Sequence, residues 1–121
     1  MRRSLLRALL PAALLAVALL TGCNRSLPVT SIKTLLDDPS RFDKQVVRVA
    51  GDVTQAVGLL GYGAYRVDDG TGSILIVTKE NGAPRQGARV GVEGEFRSAF
   101  TVGTETAAVI LERERYTPPG K

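Results

Sequence analysis

Residues 65–78 read YRVDDGTGSILIVT, and this stretch limits the folds open to the chain more than any other. Tyr65 and Val67 alternate with Arg66 and Asp68, then Asp69-Gly70-Thr71-Gly72 intervenes, then Ser73-Ile74-Leu75-Ile76-Val77-Thr78 follows. The period is two on both sides of a turn rich in Asp and Gly. Glycine supplies the positive φ angles that a tight turn needs, and a β-branched run suits a pleated, half-buried surface. The stretch therefore predicts a β-hairpin, central to a small β-barrel.

Two other segments echo each other. Val47-Arg48-Val49-Ala50-Gly51-Asp52-Val53 and Val90-Gly91-Val92-Glu93-Gly94-Glu95-Phe96 both read V-x-V-x-G-x-(V/F). The echo is too short for a repeat architecture. It fits two strands with one structural task, lying within residues 44–55 and 89–100. Val47, Val49, Val53, Val90, Val92 and Phe96 are expected inside. Gly51 and Gly94 fall on the same inward rows, where a Cβ would obstruct the coiling of a small barrel. Residues 107–116, AAVILERERY, predict a last strand, and residues 117–121, with two prolines, a frayed tail. Residues 56–63, AVGLLGYG, and 101–106, TVGTET, read as loops; residues 80–87, ENGAPRQG, read as a polar connection. Ahead of the strands, Ile32, Leu35 and Leu36 fall on one helical face, with Thr30 or Ser31 as N-cap and Pro39 discouraging continuation. This predicts two turns of helix plugging one barrel end.

The first 22 residues are of another kind. Arg2 and Arg3 precede an apolar run to Leu20, interrupted by Arg7 and Pro11. A basic start, an apolar middle and small residues at the end describe a secretory signal. The apolar part, residues 8–20, is short for a transmembrane helix, which needs about 20 residues. Leu20-Thr21-Gly22-Cys23 resembles the bacterial lipobox, in which the cysteine sulfur receives diacylglycerol, the peptide is cut before it, and the new amino group is acylated. The resemblance implies a membrane partner through lipid on Cys23, including a palmitate-type acyl chain. Several acyl chains give stable anchoring at about 0.8 kcal/mol per buried CH₂. In lipoproteins of this kind an aspartate after the cysteine favours inner-membrane retention. Asn24 stands here, which implies the outer membrane, facing the periplasm. Residues 23–30 form the lipidated cysteine and a short tether; seven extended residues reach at most about 25 Å.

This segment also explains the charge. The chain carries a formal +4, but Arg2, Arg3 and Arg7 lie in the signal. The remainder holds 13 basic and 12 acidic residues, close to neutral. The usual link between a basic chain and nucleic acid is therefore discounted. There is no His, no Trp and one cysteine. An internal disulfide is excluded, Cys–His and Ser–His catalysis is excluded, and zinc, haem and copper sites are disfavoured. No metal and no cofactor is expected.

One short helix and five strands match the five-stranded Greek-key barrel called the OB-fold. The residues also resemble a family. VRVAGDV at 47–53, YRVDDGTG at 65–72 with Ile74 and Ile76, and Pro84, Gly87, Val90, Val92 and Gly94 look like bacterial OB-fold proteins of the tRNA-anticodon-binding type. The resemblance spans residues 31–116 and implies fold more than function. Periplasmic OB-fold haem chaperones attach haem through a histidine, which is absent here, so they are no functional model.

Among carboxylates, Glu93 with Glu95, and Glu112 with Glu114, are spaced by two, which puts such a pair on one strand face if no bulge intervenes, and Asp68-Asp69-Gly70 lacks the spaced ligands of a calcium loop. All read as solvated strand or turn, and no enzyme activity is expected. Nucleic-acid binding needs a basic groove with stacking aromatics. The outward residues Arg48, Ala50, Asp52, Thr54, Arg66 and Asp68 have mixed signs, which argues against it. In OB-folds the ligand face is flanked by the loop after strand one and the loop before strand five, here residues 56–63 and 98–106. These place Leu59, Leu60, Tyr62 and Phe100, with Arg97, Tyr65 and Arg66, as candidate ligand-binding residues. The sequence reading is thus a lipid-anchored, non-catalytic envelope module for a protein, peptide or glycan. The alternatives are a structural or stress-related envelope lipoprotein, or a nucleic-acid-binding OB-fold protein.

Overall fold

A computed structural model describes residues 27–59, 62–79 and 82–119. Residues 1–22, read above as a signal, with Cys23, Asn24 and Leu60, lie outside the described residues. Two short helices, α1 (Ile32–Asp37) and α2 (Pro39–Phe42), precede five strands: β1 (Val46–Leu59), β2 (Tyr62–Asp68), β3 (Ser73–Thr78), β4 (Arg89–Val102) and β5 (Glu105–Tyr116). The strands close a barrel in the order β1-β2-β3-β5-β4. Every neighbouring pair is antiparallel except β3 with β5, which pair in parallel over Leu75–Val77 and Val109–Leu111. The expected class, a mostly β five-stranded barrel after a short helix, is the one observed.

The inward rows are those the alternation predicts. Val47, Val49, Val53, Tyr65, Val67, Ile74, Ile76, Val90, Val92, Phe96 and Ile110 form one buried cluster with Ile32 and Leu35 of α1. Gly51 and Gly94 are buried on those rows. An added Cβ would lie 2.3 Å from the Asp68 carbonyl oxygen at Gly51, and 2.2 Å from that of Leu111 at Gly94. At both places a neighbouring backbone occupies the space of a side chain, which is the close approach that excludes other residues.

Helix α1 is capped by Ser31, whose Oγ accepts from the Thr34 amide at 3.2 Å. It ends at Asp37, and Pro39 opens α2 at its first position, where a missing N–H costs nothing. Leu36 differs from expectation: it is 39% exposed. In six residues only the edge carrying Ile32 and Leu35 reaches the core. The helix is tied down by the β2–β3 turn. Asp69 Oδ2 accepts from the Ile32 amide at 2.9 Å, and Thr71 Oγ1 from the Lys33 amide at 3.2 Å. Asp69 Oδ1 also accepts from the amides of Thr71 and Gly72. Burial alone would raise the Asp69 pKa, but these hydrogen bonds outweigh it and hold the carboxyl below its ordinary value.

The two predicted loops are corrected. Residues 56–59 continue β1, and residues 62–64 begin β2, paired as Val57↔Ala64, Gly58↔Gly63 and Leu59↔Tyr62. Residues 98–102 and 105–107 likewise continue β4 and β5, paired as Phe100↔Ala107, Thr101↔Thr106 and Val102↔Glu105. Both segments are ribbons that outrun the ladder between β1 and β4, which ends at Asp52↔Arg89 on one side and at Val46↔Glu95 on the other; at the root of the first, Gly63 and Ala64 also pair with Thr78 and Val77 of β3. Residues 82–88 contain no helix, as expected from their Gly and Pro content. Pro118 is buried, between exposed Thr117 and Pro119.

Candidate functional site

The two ribbons flank a groove of about 700 Å³. Tyr62 and Ala64 contribute from β2, Val77 and Thr78 from β3, Phe100 and Thr101 from β4, and Leu111 and Glu112 from β5. Its volume is within the range of ligand-binding clefts. Tyr62 is 58% exposed and Phe100 is half-buried. The floor of Ala64, Val77 and Leu111 is aliphatic, because these residues occupy outward positions that the ribbons partly shelter.

Register explains how β4 reaches this place. Its pairing with β5 shifts between Glu93 and Gly94, and again between Arg97 and Phe100. A bulge leaves backbone groups without a ladder partner. At the second shift Asp43 supplies one: its Oδ1 accepts from the Ser98 amide at 2.8 Å and from Ser98 Oγ at 3.0 Å. Those two hydrogen bonds, the larger causes, hold the Asp43 carboxyl below its ordinary value. A residue after α2 thus fixes the root of the β4–β5 ribbon.

A polar network lies beneath the groove. The Glu112 side chain is 1% exposed. It accepts from the Tyr65 hydroxyl, from Thr78, and from Arg115 at 2.9 Å (Nε to Oε1) and 3.2 Å (Nη2 to Oε2). Burial pushes the Glu112 pKa up, but these donors outweigh it and the carboxyl stays below its ordinary value. Tyr65 shifts upward, first by burial and then by its bond to Glu112. Thr78, buried at the groove floor, has its hydroxyl satisfied by the same carboxylate.

The structure sorts the candidate residues. Tyr62 and Phe100 both line the groove. Arg97 stands one step behind it, its Nε 2.7 Å from Glu95 Oε1. That nitrogen has no hydrogen-bond partner, so the contact is one of charge and not of aligned N–H. Tyr65 is corrected: it is 1% exposed and its ring belongs to the core, so it offers no contact surface. Arg66 points outward from β2 but does not line the groove. Leu59 is placed only by its backbone pairing with Tyr62, and Leu60 lies outside the described residues. Glu112 is corrected: read as a solvated carboxylate sharing a strand face with Glu114, its side chain is buried while Glu114 is exposed, because the β4–β5 register shifts between Glu93↔Glu114 and Gly94↔Glu112. Sequence reasoning missed Thr78 and Asp43. Glu112 and Thr78 had a signal, being spaced by two from inward Ile110 and Ile76. Asp43 had none.

Arg48, read as an outward strand residue, is engaged elsewhere. It sits 3.4 Å from Glu93 and its guanidinium lies 4.2 Å over the Tyr116 ring. No group of metal-ligating side chains is present among the described residues.

No protein-family model matches this chain, and no curated protein matches it. Solved structures do. The OBody AM3L09, bound to hen egg-white lysozyme, has a TM-score of 0.58 at 16% identity, over 75% of this chain and 95% of its own. The chain is an OB-like barrel. A putative aspartyl-tRNA synthetase from Leishmania major Friedlin gives 0.53 at 12% identity, over 74% of this chain and 21% of that one. RecJ in complex with Mn²⁺, from Thermus thermophilus, gives 0.54 at 16% identity, over 78% of this chain and 16% of that one. The OB-like barrel spans only these small shares of the synthetase and of RecJ. At such identities the likeness is one of fold.

Proposed function

We propose that this chain is a lipid-anchored binding module of the bacterial cell envelope, attached through Cys23 and engaging a protein, peptide or glycan in the groove between its ribbons. The observation that carries the reading is the groove itself, with Tyr62 exposed at its edge and outside the core cluster. An exposed aromatic beside an aliphatic floor is what an interaction surface needs. The OBody, a barrel of like fold, is seen bound to a protein. Residues 20–23 support the anchor, and Asn24 the outer membrane.

The geometry suits an anchored module. Helix α1, which follows the tether, is bonded to the β2–β3 turn at Asp69 and Thr71. The groove uses the other end of that hairpin, at Tyr62 and Thr78. Seven residues of β2 separate the two ends by about 20 Å. We propose a non-catalytic module; what supports this is that the two carboxylates lining the groove, Glu95 and Glu112, are both paired with arginines.

Photo-crosslinking in intact cells tests this. A photoreactive residue in place of Tyr62 is expected to give a discrete adduct that Phe100→Ala abolishes; one in place of Arg85 is expected to give none. No adduct from position 62 would favour a structural envelope lipoprotein without a ligand.

A further inference from the structure

We infer that the open edge of β1 beyond Val53 pairs antiparallel with the same edge of a second copy of this chain, joining the two grooves on one continuous face. The pairing is independent of what the groove binds.

The register extends the groove floor to this edge. Val57 stands directly opposite Ala64, Ala64 opposite Val77, and Val77 opposite Leu111. Residues directly opposite each other share a face. The aliphatic floor of Leu111, Val77 and Ala64 therefore runs on across β2 to Val57, which is 54% exposed. There the sheet stops. The edge of β1 is paired with β4 as far as Asp52, and Val53 is bonded to Gly87 and Ala88. Among the described residues, nothing hydrogen-bonds to the backbone of that edge beyond Val53. Residues 54–58 are exposed, and a Cβ added at Gly58 would meet nothing within 4 Å.

An open edge presents N–H and C=O groups that another extended strand pairs in series. The other ribbon edges carry devices against this. Strand β4 is bulged between Arg97 and Phe100, where Asp43 takes up the Ser98 amide, and β5 begins at Glu105. Past its root, β1 carries none of these: residues 53–65 hold no charged side chain and no proline. A second copy supplies what such an edge requires. Two identical strands pair antiparallel about a two-fold axis, a closed, isologous arrangement. An axis through Val57 sets Val57 against itself, Ala56 against Gly58, and Gln55 against Leu59 of the second copy. No charge then faces its like, and the aliphatic row passes from one copy to the other through the two valines.

Oxidation in intact cells, followed by purification of the full chain in detergent, tests this with single added cysteines along the edge. Val57→Cys is expected to give a disulfide-linked dimer, because directly opposite Cα atoms in such a pair lie about 4.5–5.5 Å apart, within reach of a disulfide. Gln55→Cys is expected to give none, since the same position in the second copy lies about 13 Å along the strand. The unsubstituted chain, with Cys23 alone, sets the background. Native mass spectrometry reads the state without a crosslink. Val57→Lys is expected to weaken the dimer at least about tenfold by setting like charges opposite each other, with an unchanged circular dichroism spectrum. Mixing it with Val57→Glu is expected to restore the dimer. Equal disulfide yields from positions 55 and 57, or a dimer unaffected by Val57→Lys, overturn the pairing. So does a monomeric chain that gives no disulfide from position 57. A disulfide from position 57 to a different protein overturns it in favour of strand addition by that protein.

Discussion

Tyr65→Phe removes one hydroxyl from the network beneath the groove and leaves the ring volume in place. Tyr65 is buried in the core, and its hydroxyl donates to Glu112. Glu112 keeps its bonds from Thr78 and from Arg115 in the variant. A hydrogen bond to a charged group contributes about 1.5–3 kcal/mol. Arg115 is 23% exposed, so water reaches the network from one side and the lower end applies, about 1.5 kcal/mol. The pH dependence follows from the shift. Burial raises the Glu112 pKa, the three donors lower it further than that, and the folded carboxyl lies below its ordinary 4.5. The folded state then binds fewer protons than the unfolded one near that pH. The stabilisation is complete above 4.5 and is lost as pH falls through the lower folded value. The cost of Tyr65→Phe should therefore be largest at neutral pH and shrink in acid, where the acceptor becomes neutral. Urea unfolding of both proteins, followed by circular dichroism at about pH 7 and about pH 3, measures it. A loss under about 0.5 kcal/mol at neutral pH, or a cost that grows on acidification, would refute the reasoning.

Gly51→Val and Gly94→Val should each cost about 3 kcal/mol, the upper end of overpacking, because the obstructing atoms are backbone oxygens that cannot rotate away; unchanged urea midpoints would show that the strands can separate there. Tyr62→Ala should change stability by less than about 0.5 kcal/mol while abolishing crosslinks from a photoreactive residue placed at exposed Thr101 in the groove, and a large loss of stability would assign that ring to the fold. Cys23→Ser should yield protein without incorporated palmitate, whereas normal fatty-acid labelling would end the lipoprotein proposal. Asp43→Ala should speed amide exchange at Ser98 and in the ribbon beyond it, an effect present above the ordinary carboxylate pKa of 3.8 and fading as pH falls through the lower folded value; unchanged exchange would mean that the bulge holds itself.

Much of the barrel was legible because its signals are local. The period of two in residues 65–78 and the paired V-x-V-x-G-x-(V/F) segments specify which rows face inward, and those rows are the core. The Ser31 cap and the stop before Pro39 follow from backbone chemistry within a few residues. The ribbons were not legible. GLLGYG and TVGTET have turn composition, yet most of their residues are in strands, since pairing begun inside the barrel carries on past its end. That continuation depends on a partner strand, not on intrinsic preference. Tyr65 was misplaced although its spacing from Val67 put it on the inward row; the aromatic character outweighed the period. Glu112 shares a row with Ile110, but an inward carboxylate is admissible only once Tyr65, Thr78 and Arg115 converge on it, and those contacts join three strands. The pairing of Glu95 with Arg97 and Arg113 likewise depends on the β4–β5 register.

The division of labour between barrel and ribbons has a mechanical consequence. Among the described residues, the core cluster takes none from 54–64 or 97–107. Isolated two-stranded ribbons are marginal in water. These two persist because each continues strands already fixed in the barrel, β1 at Val53 and β4 at Phe96, and because Asp43 secures the bulge where β4 turns away. Their backbones are therefore held by a rigid root, while side chains such as Val57 and Tyr62, both more than half exposed, carry no share of the packing. A surface so held requires little ordering on association, which lowers the entropic cost of binding. It also makes binding and folding separable: changes at Tyr62, Phe100, Lys79 and Arg113 act on the groove, and changes at Gly51, Gly94 and Tyr65 act on the barrel beneath it.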